Sequence, residues 1–164
     1  VEGLATYFDQ WDTTGYAPGS YFIEGMLRDT EGKILDRALA EVSLGISLAE
    51  LTALTASPDP FDPGEPVNLS LNYANAGTLP ISGTASIDVY SAEGSIIAQF
   101  SELVVDLAPG ASGQFDSIWD TTGVPEGTFR ILGQVLYYSK ATEPRVIDIR
   151  TKLRIYLPLV LKED

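Results

Sequence analysis

The feature that most constrains the fold is an internal repeat. Residues 11–27 are WDTTGYAPGSYFIEGML, and 108 positions later residues 119–135 are WDTTGVPEGTFRILGQV. Eight of these 17 positions are identical, and a tryptophan opens the shared pentapeptide. A period near 108 suits β-sandwich domains of about 100 residues and is far longer than the period of a solenoid. The 164-residue chain therefore holds one such unit and part of another.

Alternating apolar residues predict β-strands throughout the second unit, which we place at about residues 47–155. A loop with four prolines at residues 57–66 separates the first two strands. We find no helical period and predict an all-β fold, an antiparallel immunoglobulin-like β-sandwich with one complete domain. The predicted strands cover about residues 51–56, 67–74, 85–90, 95–100, 102–107, 113–119, 129–137 and 147–155.

The first unit, residues 1–46, is predicted to be only the C-terminal three strands of a second sandwich, at about 4–11, 19–30 and 33–44. We expect the chain to be a fragment or a processed product. Burial of a large apolar side chain is worth about 1.5–3 kcal/mol, so other chain segments are expected to complete the unit. The apolar side chains that three strands would leave in water are Leu4, Trp11, Tyr21, Ile23, Leu27, Ile34 and Val42.

Residues 156–164 form an apolar C-terminal tail, Tyr-Leu-Pro-Leu-Val-Leu followed by Lys-Glu-Asp. Proteins avoid exposed apolar edges, so the tail is a candidate donor strand for the incomplete unit of another copy. Head-to-tail strand addition gives a filament or array unless it closes into a ring. The alternative is a piece of a longer tandem array whose tail folds back on its own domain. The predicted assembly residues are Tyr156, Leu157, Leu159, Val160 and Leu161 in the tail, with Leu4, Tyr21 and Ile23 in the first unit.

Several segments of the second unit resemble the bacterial CARDB-type, cell-adhesion-related domains. They are PVNLSLNYANAG at 66–77, LAPGAS at 107–112, the Trp119-Asp120 pair and GTFRILGQV at 127–135. That family consists of immunoglobulin-like modules of secreted and surface proteins, so the resemblance implies an extracellular or cell-surface location. The segment at 155–161 is similar to short terminal segments of secreted Chloroflexi proteins, which implies an origin in such a bacterium.

Composition excludes several classes of function. The chain has no histidine and no cysteine, which removes His-based triads, thiol nucleophiles and nearly all zinc sites. Ten basic residues against 23 acidic ones give a net charge of −13, so nucleic acid is not an expected partner. No apolar run approaches the roughly 18 residues of a membrane span. We expect no cofactor.

Two sets of carboxylates are candidates for chemistry. Asp59, Asp62 and Glu65 in the proline-rich loop could bind calcium, although solvated loop charge is the favoured interpretation. Asp12 and Asp120 could be paired acids in a glycosidase-like site, but each begins a repeated turn, where capping of backbone N–H groups is favoured.

Repeated aromatic residues and glycines are assigned mainly to the fold. Trp11 and Trp119 could stack on sugars, but we favour a core role. Gly25 and Gly133 lie within strands, where we expect them to make room for a bulky neighbour such as those tryptophans. The repeat motif that marks the two units comprises Trp11, Asp12 and Gly15 with Trp119, Asp120 and Gly123.

Two surface features remain open. Asn68-Leu-Ser70 matches the N-glycosylation pattern on the outward side of a strand. Tyrosine is enriched at interfaces, so four tyrosines are candidates for a binding face, although ordinary surface positions explain them equally. These are Tyr16, Tyr137, Tyr138 and Tyr156.

The sequence thus predicts a non-catalytic extracellular structural or adhesion protein, a subunit of a surface filament or array that self-associates by strand addition. The alternative is an accessory spacer or carbohydrate-binding module of a secreted hydrolase, which predicts an exposed aromatic row on one sheet. A small catalytic domain using Asp and Glu alone is least favoured, since it needs two carboxylates about 5–10 Å apart in one cleft.

Overall fold

The computed structural model describes residues 5–152. The chain divides into two compact units, Val1–Ile46 and Ser47–Asp164. The secondary structure within residues 5–152 consists of strands and no helix. The strands are β1 (Gly19–Arg28), β2 (Ile34–Leu44), β3 (Ala49–Ser57), β4 (Val67–Asn75), β5 (Ile81–Tyr90), β6 (Ile96–Leu107), β7 (Ser112–Trp119), β8 (Thr128–Tyr137), β9 (Lys140–Ala141) and β10 (Arg145–Arg150).

The second unit is a two-sheet antiparallel sandwich. One sheet has the order β3-β4-β7, and the other has the order β10-β8-β5-β6 with the short β9 beside β8. All of these strand pairs are antiparallel. The predicted all-β, immunoglobulin-like sandwich is confirmed.

The core lies between β4 and β8, whose side chains alternate in and out as the period-two pattern predicts. The inward residues of β4, from Val67 to Tyr73, are at most 4% exposed. Trp119 is 3% exposed and belongs to the same core. The inward residues of β8 are Phe129, Ile131, Gly133, Val135 and Tyr137, all buried.

Four predicted strands of the second unit have wrong boundaries. The strand predicted at 85–90 begins four residues earlier, at Ile81. The two short strands expected at 95–100 and 102–107 are one strand, β6, because β5 pairs with it across the predicted break at residue 101. The last strand, predicted at 147–155, begins earlier and ends at Arg150. Beyond it, Thr151 forms a parallel bridge with Phe61.

The first unit contains one antiparallel hairpin, β1–β2, in which Ile23 pairs with Ala40 and Tyr21 with Val42. The strand predicted at 4–11 is absent from residues 5–11. In the second unit the equivalent segment is β7, which is a strand paired with β4. Among the described residues, β1 and β2 pair only with each other, and no strand lies beside residues 5–11.

The chain enters and leaves the second unit at opposite ends of the sandwich. At the entering end, the Ala76 N–H donates to the Leu48 carbonyl at 2.9 Å. At the leaving end, the Phe61 N–H donates to the Arg150 carbonyl at 3.1 Å, and the Lys152 N–H donates to the Phe61 carbonyl at 2.8 Å. The nine residues of β3 connect the two ends, a length of about 30 Å at about 3.3 Å per residue.

Candidate functional site

The buried face of β8 shows what covers such a strand in a complete sandwich. A Cβ added at Gly133 would lie 2.7 Å from Leu71 Cδ1 and 3.2 Å from Leu54 Cδ1. Both leucines come from the facing sheet, on β4 and β3. Gly133 therefore makes room for a bulky neighbour as expected, but the neighbour is a leucine pair and not the predicted tryptophan.

In the first unit, no strand among residues 5–152 covers the equivalent face. The repeat aligns Tyr21, Ile23, Gly25 and Leu27 of β1 with Phe129, Ile131, Gly133 and Val135 of β8. Ile23 is 45% exposed and Leu27 is 61% exposed, whereas their counterparts in β8 are fully buried. Val42, which pairs with Tyr21 from β2, is 36% exposed. We call this surface of β1 and β2 the uncovered face.

At the centre of the uncovered face, the residues that the structure describes leave a gap above Gly25. The nearest atom to an added Cβ is the Ala38 carbonyl oxygen at 3.9 Å, in ordinary contact. The expectation that Gly25 accommodates a bulky neighbour is therefore wrong for the residues that the structure describes. The gap lies in a groove lined in part by Tyr7, Leu27 and Ala38.

An aromatic cluster closes one end of the uncovered face. The Trp11 and Tyr21 rings meet edge to face with centroids 5.1 Å apart, and their counterparts Trp119 and Phe129 do so at 5.3 Å. Tyr16 adds a third ring 5.0 Å from Trp11. Trp119 is buried whereas Trp11 is half-buried, so the same local arrangement is present without the surrounding core.

The opposite face of the hairpin is more polar. Arg37 and Glu24 form an ion pair there at 3.2 Å, with both side chains well exposed. Phe22, Met26 and Leu39 also lie on this side and are 45–67% exposed. The uncovered face, by contrast, is apolar along Tyr21, Ile23 and Leu27.

The repeated aspartates cap turns. The Asp12 carboxylate accepts the Thr14 N–H at 2.9 Å, and the Asp120 carboxylate accepts the Thr122 N–H at 2.9 Å. Hydrogen bonds from Thr14 lower the pKa of Asp12, and those from Thr122 lower the pKa of Asp120. Gly15 and Gly123 complete the turns with φ of 84° and 76°, a conformation that favours glycine. The repeated pentapeptide is thus an Asx-type turn before a strand.

The carboxylates of the proline-rich loop are engaged by the end of the last strand. Lys152 Nζ lies 2.7 Å from an Asp62 oxygen and 3.6 Å from a Glu65 oxygen. The hydrogen bond that Lys152 donates to Asp62 is the main cause of the raised pKa of Lys152. Asp59 accepts the Arg150 N–H at 3.2 Å. These contacts hold the departing chain against the loop, and Lys152 stands where a bound cation would compete for the same oxygens.

Within residues 5–152 no group of three Asp, Glu, His or Cys side chains is arranged to hold a metal ion. The same residues contain no helix of the length and apolarity needed to cross a membrane.

The tyrosines proposed for a binding face are scattered. Tyr137 is 3% exposed and belongs to the core, so its assignment to a surface is wrong. Tyr138 is 68% exposed, and its hydroxyl donates to the Pro80 carbonyl at 3.0 Å. Tyr16 belongs to the aromatic cluster of the first unit.

Asn68 is exposed on β4, so its predicted glycosylation remains a prediction. Leu4 and the tail residues Tyr156, Leu157, Leu159, Val160 and Leu161 lie outside the described residues.

Tyr7 is a site residue that was not predicted from the sequence. It lines the groove at Gly25, and it lies 108 positions before Phe115, a core residue that is 5% exposed. Tyr7 itself is 86% exposed. Extending the repeat alignment upstream from Trp11 would have found this pair of aromatic residues.

No family model matches the sequence, and no curated protein matches it. Among solved structures, a Paenibacillus cycloisomaltooligosaccharide glucanotransferase, complexed with cycloisomaltoheptaose, matches 63% of this chain at 13% identity with a TM-score of 0.53. The Bacillus subtilis sporulation control protein Spo0M matches 66% of this chain at 14% identity with a TM-score of 0.52. A β-glucosidase from Erythrobacter marinus matches 69% at 11% identity with a TM-score of 0.50.

The matched regions span 14% of the glucanotransferase, 51% of Spo0M and 16% of the β-glucosidase. At these identities the similarity is one of fold.

Proposed function

We propose that this protein is a non-catalytic structural or adhesion module of an extracellular protein, and that it assembles head to tail by covering the first unit of a neighbouring copy. The observation that carries the proposal is the uncovered face. Ile23 and Leu27 repeat buried positions of β8 but are 45% and 61% exposed. Exposed apolar faces of this kind are typical of interaction sites.

The path of the chain through the second unit supports a role in series. Within the second unit the chain enters the sandwich at one end and leaves at the other, which is the connection that a module of a tandem series needs. The CARDB-type resemblance of the second unit and its immunoglobulin-like fold support an extracellular location. The repeated aspartates and the loop carboxylates already serve turns and the departing chain, which supports a non-catalytic role.

The test is the solution mass of the full chain, with a charge placed on either face of the hairpin. Ile23→Lys puts an ammonium on the uncovered face, and Phe22→Lys puts the same group on the opposite face of the same strand. We expect oligomers of the 17.7 kDa chain that Ile23→Lys abolishes and Phe22→Lys preserves. A wild-type chain that stays monomeric across the concentration range, or equal losses in both variants, would refute the proposal.

The second candidate is an accessory module of a secreted hydrolase. It is favoured by the fold similarity to parts of a glucanotransferase and a β-glucosidase, and by a surface groove lined in part by Tyr90, Arg130 and Asp148. Arg130 and Asp148 pair there at 3.0 Å. Tyr90 pairs with Arg130 near the start of β8, whereas Tyr138 follows the end of β8, eight residues from Arg130. These two aromatic residues therefore do not form a sugar-binding row. Polysaccharide binding that Tyr90→Ala removes would favour this candidate.

A further inference from the structure

We propose that the groove beside Tyr90, on the outer face of the second unit, binds one neutral sugar unit at the end of a glycan chain. The inference goes beyond head-to-tail assembly and does not depend on it. It rests on the second candidate function and deepens it, because it names the part of a carbohydrate that this groove takes. The residues that carry it belong to β5, β8, β10 and the turn between β5 and β6.

The floor of the groove is a row of three side chains on three adjacent strands. Tyr90 of β5 pairs with Arg130 of β8, and Arg130 pairs with Asp148 of β10. The neighbours of Arg130 along β8, Phe129 and Ile131, are buried in the core, so Arg130 points outward. Because directly paired residues of adjacent strands share a face, Tyr90 and Asp148 lie on the outer face with it.

The turn after β5 forms one wall of the groove. The Ser91 N–H donates to the Ser95 carbonyl at 2.8 Å, and the Gly94 N–H donates to the Ser91 carbonyl at 3.0 Å. Gly94 has a φ of 83°, a conformation that glycine adopts without strain. A hydrogen bond from the Ser91 side chain is the main cause of the lowered pKa of Glu93. The wall is therefore held by hydrogen bonds of its own.

Arg130 and Asp148 offer hydrogen-bonding groups in a fixed arrangement. Nε of Arg130 donates to Oδ1 of Asp148 at 3.0 Å, and Nη2 donates to Oδ2 at 3.4 Å. A guanidinium has five N–H groups, and each carboxylate oxygen accepts more than one hydrogen bond. The pair thus keeps donors and acceptors for a ligand, and its side chains are 61% and 50% exposed. Sugar hydroxyls, which both donate and accept, match such a pair.

The rest of the lining adds apolar surface to this polar pair. Tyr90, Ala92 and Leu132 line the same groove. A sugar ring has an apolar C–H face and a rim of hydroxyls, so one side of the ring can lie on apolar surface while its hydroxyls reach the charged pair. Sites for small ligands combine apolar walls with a few placed polar groups in this way.

The charges around the groove favour a neutral ligand. Arg130 is balanced by Asp148. Glu93 lies in the wall, and Arg150 pairs with Thr128, which lines the groove. Neither sign of charge is in excess here, and the net charge of −13 on the whole chain repels anions. An uncharged sugar therefore fits better than an acidic one.

The size of the groove indicates a single end unit of a glycan. Its volume is about 430 Å³, near the lower end of the roughly 300–1,000 Å³ that is usual for small-ligand sites. A stretch of polymer would need further aromatic surface along the sheet. The exposed Tyr138 lies beyond the other end of β8 and does not extend the groove.

The experiment is saturation-transfer difference NMR on the full chain with glucose, galactose, mannose and N-acetylglucosamine as probes. This measurement detects the bound sugar whether the chain is monomeric or assembled. We expect a saturable signal from at least one of the four sugars. Tyr90→Ala and Asp148→Asn should each weaken its binding at least tenfold. Tyr138→Ala, which removes an exposed tyrosine outside the groove, is the matched control and should leave binding unchanged.

A second variant guards against a fold defect in Tyr90→Ala. Ala92 is exposed on the turn, so Ala92→Trp fills the groove without removing a core contact and should also weaken binding at least tenfold. Circular dichroism checks that each variant keeps its strands.

Chain length tests the assignment to an end unit. A linear oligosaccharide of six units of the bound sugar should compete at a concentration per chain within threefold of the single sugar. An affinity that rises tenfold or more with chain length would overturn the end-unit assignment. Galacturonate that binds more tightly than galactose would overturn the assignment to a neutral sugar.

The outcomes are separate from those of the assembly test. No saturable signal from any of the four sugars would overturn the inference, and so would binding that Tyr90→Ala and Ala92→Trp leave unchanged. The solution mass of the Ile23→Lys chain tests assembly alone. Sugar binding by a chain that stays monomeric would therefore refute head-to-tail assembly and retain the groove.

Discussion

The two repeated glycines, Gly25 and Gly133, have different packing environments in the same chain. Gly133 is required because Leu71 occupies the space where a side chain would begin. Gly25 has the same place in the repeat, but among the described residues the nearest atom to an added Cβ is the Ala38 carbonyl oxygen at 3.9 Å. Sequence alone predicts glycine for close packing at both positions, and only the facing sheet distinguishes them.

We predict that Gly133→Ala and Gly25→Ala differ sharply in their effect on the second unit. Gly133→Ala forces its methyl group against Leu71 and should lower the free energy of unfolding by about 1–3 kcal/mol, the usual cost of overpacking. Gly25→Ala meets only ordinary contacts and should leave that unfolding transition unchanged. Urea denaturation followed by tryptophan fluorescence and circular dichroism measures both. Equal effects would contradict the packing argument.

At the level of elements, an aspartate carboxylate caps each of the two repeated turns. The pKa of Asp120 is lowered in the folded chain by the Thr122 N–H and hydroxyl, and by the same logic Thr14 lowers that of Asp12. A lowered pKa means that the charged carboxylate contributes stability above its unfolded pKa. That contribution is lost as the pH falls through the folded pKa.

We predict that Asp120→Ala lowers the melting temperature of the second unit at pH 6, and that the deficit shrinks as the pH falls through the lowered pKa of the native carboxylate. Asp120→Asn keeps the acceptor oxygen but loses the charge, so its melting temperature should fall less. Asp12→Ala is the matched control in the first unit and should leave this transition in place. Calorimetry between pH 2 and pH 6 provides the measurement. A deficit independent of pH would show that the charge plays no part.

The strands show which elements a sequence can predict. The repeat and the alternating apolar residues were sufficient to predict β4 and β8, because a strand buried on one face has apolar residues at every second position. They were insufficient for residues 5–11, because pairing depends on a partner distant in sequence. In the second unit β7 has β4 beside it. The prediction of two strands in place of β6 was wrong for the same reason, since β5 pairs with β6 across the predicted break at residue 101.

Part of the candidate site is predictable from the sequence. Tyr21 and Ile23 were found because they repeat core positions. The role of Lys152 was missed, because its partners Asp62 and Glu65 are about 90 residues away and no local pattern connects them.

At the scale of the whole molecule, the two units differ in whether their described residues form a hydrophobic core. The second unit has one continuous core that draws on both sheets, including Leu71, Ile131 and Trp119. The described part of the first unit has a single hairpin with an uncovered face, and isolated two-stranded hairpins are at best marginally stable.

We predict that residues 47–164 alone unfold cooperatively and that residues 1–46 alone do not. Removing residues 1–46 should leave the melting temperature of the second unit within a few degrees of its value in the full chain, because its core is complete. Thermal melts of the two pieces and of the full chain give the comparison. A large loss of stability in the 47–164 piece would show that the first unit is part of its core.

The bridge between Phe61 and Thr151 has a mechanical consequence. In a linear array, tension pulls the entering chain toward one end and the departing chain toward the other. The segments at 59–62 and 150–152 run in parallel, so this force slides them along each other and loads their hydrogen bonds and the Lys152–Asp62 ion pair together in shear. Hydrogen bonds loaded together resist more force than hydrogen bonds broken one after another. We therefore expect the bridge between Phe61 and Thr151 to resist an end-to-end pull on the second unit.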